Sequence, residues 1–110
     1  MSGMVTLRRD FGLNREPAQL APDGAGVYSV SMEELDRIEL QVGAANGYLL
    51  MNNEPRPLPI GSSLKGGIFY WHAGPGFLGA YPLVFDQPDG SQIQVLVHVQ
   101  PKNYSQANNR

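Results

Sequence analysis

The side chains that could perform acid–base, nucleophilic or metal chemistry are few and scattered along this sequence. It contains no cysteine and two histidines, His72 and His98. A zinc site needs a full set of His, Cys or carboxylate ligands, and a catalytic triad needs a nucleophile beside its base. Neither histidine has such neighbours in the sequence. We therefore predict no catalytic residue, no metal site and no cofactor, and we classify the chain as a non-enzyme.

The acidic residues and the glycine pairs also favour structural interpretations. Four carboxylates lie between positions 33 and 39, but paired carboxylates act as acid and base only where a pocket drives their pKa values apart. The neighbouring sequence predicts a solvated face instead. The segment from Gly74 to Gly76 lacks the Lys-Ser/Thr end of a phosphate loop and opens onto no helix, so we interpret it as a turn.

An aromatic cluster is the strongest candidate for a binding surface. Strand alternation sends Phe69 and Trp71 to one face and Tyr70 to the other. If Tyr70 and His72 are exposed beside Phe77, they form a stacking platform for a sugar ring or for an apolar side chain of a partner. We favour a core position for Trp71, because so small a core needs its only Trp. The candidate platform is Tyr70, Trp71, His72 and Phe77.

Composition excludes several function classes. The 110 residues include 13 Gly and 9 Pro, which leaves too few uninterrupted windows for an all-α fold. The formal net charge of −2, without a basic stripe, argues against a nucleic-acid partner. No apolar run is long enough for membrane insertion, and the N-terminus lacks a signal-peptide pattern. We expect one all-β domain.

Short alternating segments separated by turn signals predict about seven strands, packed as an antiparallel β-sandwich or barrel. Residues 31–42 also match helical spacing, and we predict at most one helical turn near 32–35, followed by a strand over 36–42. The segment from Asp86 to Gly90 predicts a hairpin turn. The predicted strands cover residues 5–9 (a short edge strand), 27–32, 36–42, 48–51, 68–72, 81–85 and 93–99.

The period-two pattern divides the C-terminal hairpin into a buried and a solvated face. Its inward rows are Tyr81, Leu83 and Phe85 on one strand and Ile93, Val95, Val97 and Val99 on the next, with His98 outward. The prolines from Pro55 to Pro59 suit a sheet edge and blunt it against pairing, so we expect a monomer. The predicted organisation is an N-terminal strand and linker region over 1–26, a sandwich over 27–101 and a flexible polar tail over 102–110.

Three segments together resemble the immunoglobulin-like and cadherin-like repeats of bacterial surface proteins. They are the Leu-Pro-Ile-Gly-Ser-Ser-Leu run at 58–64, the Gly-led strand at 67–71 and the Gly-Pro-Gly-Phe-Leu-Gly-Ala-Tyr run at 74–81. The likeness covers residues 36–101 and implies an all-β, Ig-like antiparallel β-sandwich of about seven strands. It also implies a structural or adhesion module at the cell surface. Calcium binding is not carried over, because the clustered Asp and Asn ligands are missing.

These observations lead to one functional hypothesis and two alternatives. The chain is expected to be a non-catalytic structural or protein-interaction module of a larger bacterial surface or exported protein. It would be extracellular or on the cell surface as part of a longer precursor, with neighbouring domains or another protein as partners. The first alternative is a carbohydrate-binding module that holds a glycan on exposed rings of Tyr70, Trp71 and Phe77. The second is a small enzyme, which would need a concave pocket with His72 or His98 beside a carboxylate.

Overall fold

Alternation of apolar and polar residues produces ten strands and no helix in the part of the chain that the structure describes. The structure is a computed structural model, and it describes residues 5–9 and 17–102. The strands are β1 (Val5–Arg9), β2 (Ala18–Leu20), β3 (Val27–Glu33), β4 (Arg37–Gln41), β5 (Asn46–Met51), β6 (Glu54–Arg56), β7 (Ser62–Lys65), β8 (Ile68–His72), β9 (Gly79–Asp86) and β10 (Gln92–Gln100).

The strands form two five-stranded sheets that pack face to face. The first has the order β2-β1-β4-β8-β7 and the second has the order β3-β10-β9-β5-β6. The orders β1-β4-β8-β7 and β10-β9-β5 are those of the ABED and GFC strands of an Ig-like sandwich. The expected all-β sandwich is therefore confirmed.

The pairing differs from the prediction in two respects. The described residues form ten strands rather than about seven, because β2, β6 and β7 are only three or four residues long and too short to show a period of two. The sheets are also not purely antiparallel, since β3 runs parallel to β10 over seven paired residues, from Val27 beside Gln94 to Glu33 beside Gln100. The parallel pairing could not be predicted from the sequence, because it does not change the alternation of apolar and polar residues in either strand.

One local prediction near the N-terminus was wrong. Strand β1 is not an edge strand, because β2 pairs with its outer side and β4 with its inner side. The prediction of at most one helical turn near 32–35 holds, because β3 continues to Glu33 and a two-residue turn at Glu34 and Leu35 follows without a helical turn. Met32 is buried on the inward phase of β3, so the strand gains more from that position than a helical turn would. Residues 103–110 of the expected tail lie outside the described residues.

The interior is made of apolar side chains from both sheets. Every buried side chain is apolar among the residues that the structure describes. The predicted inward rows are confirmed: Leu83, Phe85, Val95, Val97 and Val99 are buried, and Tyr81 and Ile93 pack against them. The first sheet contributes Val5 and Leu7 of β1, Ile38 and Leu40 of β4, and Phe69 and Trp71 of β8.

The connections gather at two ends of the sandwich. The end formed by residues 42–45, 66–67 and 87–91 is called the hairpin end, and it includes the predicted turn between β9 and β10. The end formed by residues 34–36, 73–78 and 101–102 is called the C-terminal end. Strand β3 and strand β10 both run from the hairpin end to the C-terminal end, because they are parallel.

We expect Gly47→Ala to destabilise the sandwich. A Cβ at position 47 would lie 2.5 Å from Cδ1 and 2.8 Å from Cε1 of the Phe85 ring. Phe85 has no exposed surface and cannot move aside freely, so this overpacking should cost about 1–3 kcal/mol of unfolding free energy. Urea denaturation followed by far-UV circular dichroism measures the change. The matched control is Gly24→Ala, whose new methyl group meets no atom within 4 Å. Equal midpoints for the two variants would contradict the packing.

Candidate functional site

The four residues of the predicted platform do not share one exposed surface. Alternation along β8 places Tyr70 and His72 on the outer face of the first sheet, with Tyr70 half-buried and His72 exposed. Trp71 points inward and is only 1% exposed. Phe77 lies in the connection from β8 to β9, where it is half-buried against the core. The structure therefore joins Tyr70 with His72 and separates both from Trp71 and Phe77.

Trp71 is held in the core by contacts on several sides. Its ring lies edge-on to Tyr81 at a centroid distance of 5.1 Å, and it is tilted against Phe69 at 6.4 Å. Its Nε1 donates a hydrogen bond to the carbonyl oxygen of Ile60, 3.2 Å away. The indole is thus both packed and satisfied, which makes it a structural ring. A glycan platform would lack its central ring.

We expect Trp71→Ala to cost about 3–5 kcal/mol of unfolding free energy, because it empties the largest fully buried side-chain site. Trp71→Phe keeps an aromatic ring, and it should lose less. Urea denaturation by far-UV circular dichroism is the measurement, since the chain has a single Trp and the variants lose its fluorescence. His72→Ala on the same strand is the matched control and should stay within about 0.5 kcal/mol of the parent chain. A Trp71→Ala chain as stable as the control would place the indole at the surface.

A polar cleft of about 430 Å³ lies at the C-terminal end, between the ends of β1, β3 and β10. Its acidic residues are already engaged. The Lys102 Nζ lies 3.3 Å from Oδ1 of Asp36 and 3.8 Å from Oε1 of Glu33. The other Asp36 oxygen accepts a hydrogen bond from the Glu33 amide at 3.0 Å. The cleft is lined by Arg9, Ser31, Met32, Glu33, Asp36, Gln100 and Lys102.

Glu34 joins three segments at the C-terminal end. Its Oε1 accepts a hydrogen bond from the Gly76 amide at 3.0 Å, and its Oε2 accepts one from the Lys102 amide at 3.1 Å. These backbone donors, led by Gly76, hold the pKa of Glu34 below its usual value. The turn after β3, the connection after β8 and the exit of β10 are therefore tied together through one carboxylate.

We expect Glu34→Gln to weaken the dependence of stability on acid pH. A carboxylate whose pKa is lowered in the folded state stabilises the fold at pH above its usual value of 4.5. That contribution is lost as the pH falls through the lowered pKa, because the protonated group gives up its charge-assisted bonds. Thermal unfolding of both chains between neutral and acid pH measures the effect. The two melting temperatures should differ most near neutral pH and converge at acid pH; a constant difference would contradict the assignment.

The outer face of the second sheet carries an apolar groove of about 220 Å³. Val84 is on the outward phase of β9 and is nevertheless only 5% exposed. Its cross-strand neighbour on β5 is Tyr48, and Gln94 of β10 lies on its other side. An outward row normally carries polar side chains, so this face departs from the usual alternation. The groove is lined by Val27, Leu50, Pro82, Leu83, Val84, Gln94, Val95 and Leu96.

The hairpin end is closed by hydrogen bonds between its loops. The amides of Val42 and Gly43 both donate to the Gly67 carbonyl oxygen, at 3.0 and 2.8 Å. The side-chain amide of Gln87 donates to the carbonyl oxygen of Val42 at 2.9 Å. A shallow apolar depression there contains no charged side chain. It is lined by Gly43, Ala44, Ala45, Leu64, Gly66, Gly67 and Pro88.

The two histidines lie on opposite outer faces of the sandwich. His72 belongs to the first sheet and His98 to the second, where His98 is exposed as its phase on β10 predicts. Neither residue lines any of the three depressions. Within residues 5–9 and 17–102, no three His, Asp or Glu side chains are grouped so that they could hold a metal ion. The same residues contain no helix that could cross a membrane.

Comparison of the chain with known protein families, characterised proteins and solved structures finds no match. Functional inference therefore rests on the residues themselves. Strand β3 takes part in two of the surfaces described above. Its first residue, Val27, lines the apolar groove, and its last three residues line the polar cleft.

Sequence reasoning missed the residues that organise the C-terminal end. Glu34 was assigned to a solvated face and Lys102 to a flexible tail, but Glu34 accepts the amide hydrogen bond of Lys102. The two residues are separated by 68 positions, and no local pattern records such a contact. The contact follows from the parallel pairing of β3 with β10, which brings Glu33 beside Gln100 and which the alternation of neither strand predicts.

Proposed function

We propose that the chain is a non-catalytic structural and protein-interaction module of a larger exported or cell-surface protein, and that it works mechanically. It spaces and presents neighbouring domains and withstands tension along the chain. The observation that carries this proposal is the parallel ladder between β3, whose first residue lies at the hairpin end, and β10, whose last residue lies at the C-terminal end. The likeness to bacterial surface repeats supports the location.

The geometry of the ladder determines how it responds to force. The chain enters β3 at Val27 and leaves β10 at Gln100, and these residues lie at opposite ends of the sandwich. Tension between the two points pulls β3 and β10 in opposite directions along their own axes. All seven residue pairs are then loaded together, so no hydrogen bond can break before its neighbours share the strain.

The ends of the ladder are reinforced. Beyond the last pair, the Glu34 amide donates to the Gln100 carbonyl oxygen at 2.9 Å. The Lys102 amide then donates to the Glu34 side chain, which adds a further contact after β10 ends. Before β3, Asp23 accepts amide hydrogen bonds from Ala25 at 2.8 Å and from Val27 at 3.0 Å. These contacts oppose fraying at the points where tension enters the ladder.

The interior favours a structural role over a catalytic one. The buried side chains are hydrophobic among the described residues, and the Tyr28 hydroxyl is the only ionisable group among them. Reactive groups gain their perturbed pKa values from burial and close charged neighbours. The acidic groups of the polar cleft instead lie beside the Lys102 ammonium group. The proposed function therefore rests on the outer surfaces of the sandwich and on the pairing of its strands.

Single-molecule pulling tests the mechanical proposal. The chain has no cysteine, so paired cysteine substitutions give unique attachment points. Gly24→Cys with Pro101→Cys applies force along β3 and β10 and loads the ladder in shear. Leu35→Cys with Pro101→Cys applies force at one end only and opens the same ladder one pair at a time. We expect the first pair of handles to require a several-fold higher unfolding force, since forced unfolding reports the unfolding barrier.

The control is chemical denaturation of both double variants, which should have similar midpoints because all three positions lie in turns or beyond the last strand. Equal forces in the two directions, at equal stability, would contradict a role in withstanding tension. The measurement uses isolated single chains, so its outcome does not depend on whether copies of the chain associate.

A further inference from the structure

The sandwich has four edge strands within the described residues, and three of them are protected against pairing. Strand β2 has three residues and follows Pro17, and β6 has three residues with Pro55 at its centre. Strand β7 has four residues and ends in Lys65 before two glycines. Short length, proline and lysine are the usual means of blocking edge-to-edge association.

Strand β3 has none of these protections. It is seven residues long, pairs with β10 on one side, and contains no Pro, Gly, Lys or Arg. No strand of residues 5–9 and 17–102 pairs with its other side. The expectation of a monomer depended on the prolines from Pro55 to Pro59, and these protect β6 at the opposite edge of the same sheet.

We propose that a second copy of this chain pairs with the free edge of β3, antiparallel and centred on Val30. The sequence of β3 reads Val-Tyr-Ser-Val-Ser-Met-Glu, and its central five residues alternate polar and apolar side chains symmetrically about Val30. In this register Ser29 of one copy faces Ser31 of the other on the outer side. Both serines are exposed, and paired hydroxyl side chains suit neighbouring strands.

The inward positions are equally self-complementary. Val30 meets Val30 of the second copy, and Tyr28 meets Met32. All three side chains are buried within each copy, so at these positions the joined strands continue an apolar layer. The dimer unites two five-stranded sheets into one continuous sheet, and the three protected edges prevent further growth.

Charge selects the antiparallel register. Glu33 is the only charged residue of β3. Antiparallel pairing places it opposite Val27 and keeps the two Glu33 side chains at opposite ends of the ladder. In-register parallel pairing would set the two Glu33 carboxylates side by side. Their repulsion would destabilise that arrangement. The Lys102 ammonium group, 3.8 Å from Glu33 in the same copy, compensates the charge that remains.

Charge-swapped variants test this interface. One chain carries Ser29→Lys with Ser31→Lys, and the other carries Ser29→Glu with Ser31→Glu. Each puts like charges opposite each other in its own dimer, whereas the mixture puts Lys opposite Glu. Sedimentation equilibrium over a wide concentration range should show a dimer for the parent chain, loss of the dimer for each variant alone, and a heterodimer on mixing. The control is Gln41→Lys with Ser63→Lys, at exposed positions of the first sheet, which should dimerise like the parent.

Amide hydrogen exchange locates the contact. Protection in the parent dimer should rise on β3 and not on β2, β6 or β7 when the concentration increases. A parent chain that stays monomeric, charged variants that still dimerise, a mixture that forms no heterodimer, or protection confined to another strand would each overturn the proposal. Far-UV circular dichroism of the variants checks that they are folded, so that loss of the dimer can be assigned to the changed side chains on β3 and not to unfolding.

Discussion

The sandwich depends on one constraint, which is that both sheets must bury a purely apolar face against each other. Trp71, Phe69 and Phe85 form the centre of that contact, with Phe69 tilted against Phe85 at a centroid distance of 5.3 Å. The buried side chains among the described residues are hydrophobic, and the Trp71 indole N–H has its hydrogen-bond partner in the carbonyl oxygen of Ile60. Polar interactions are displaced to the two ends, where they tie connections together, and to the edges, where backbone groups remain available.

Most of the strands could be predicted, because the period-two pattern is strong wherever a strand is long and has one solvated face. The rows from Tyr81 to Phe85 and from Ile93 to Val99 carry this signal without interruption, and the core follows from them. Strands β2, β6 and β7 were not predicted, because three or four residues are too few to show a period of two. The parallel pairing of β3 with β10 was not predicted for a different reason. Alternation indicates which face of the sheet a residue occupies, but it does not indicate which strand lies beside it.

The candidate site was less predictable than the fold. Aromatic density around Tyr70 and Trp71 marks a surface only when the rings face outward, and alternation along β8 divides them between core and surface. The functional features of β3 depend on its place at the edge of the second sheet, which is a property of the whole topology. The proposed mechanical role uses the paired side of this strand, and the proposed dimer uses its other side. Its two proposed roles are therefore geometrically separate.

The approach of the Phe85 ring to Gly47 has a consequence for how sequences with this fold can diverge. The ring occupies the space that any side chain at position 47 would need. A larger residue at position 47 becomes tolerable only when position 85 carries a smaller one, so the two positions should vary together across related sequences. Tyr48, by contrast, is half-buried on the outer face, and its substitution is free of that coupling. Coordinated change at positions 47 and 85 would therefore mark the sequences that keep this contact.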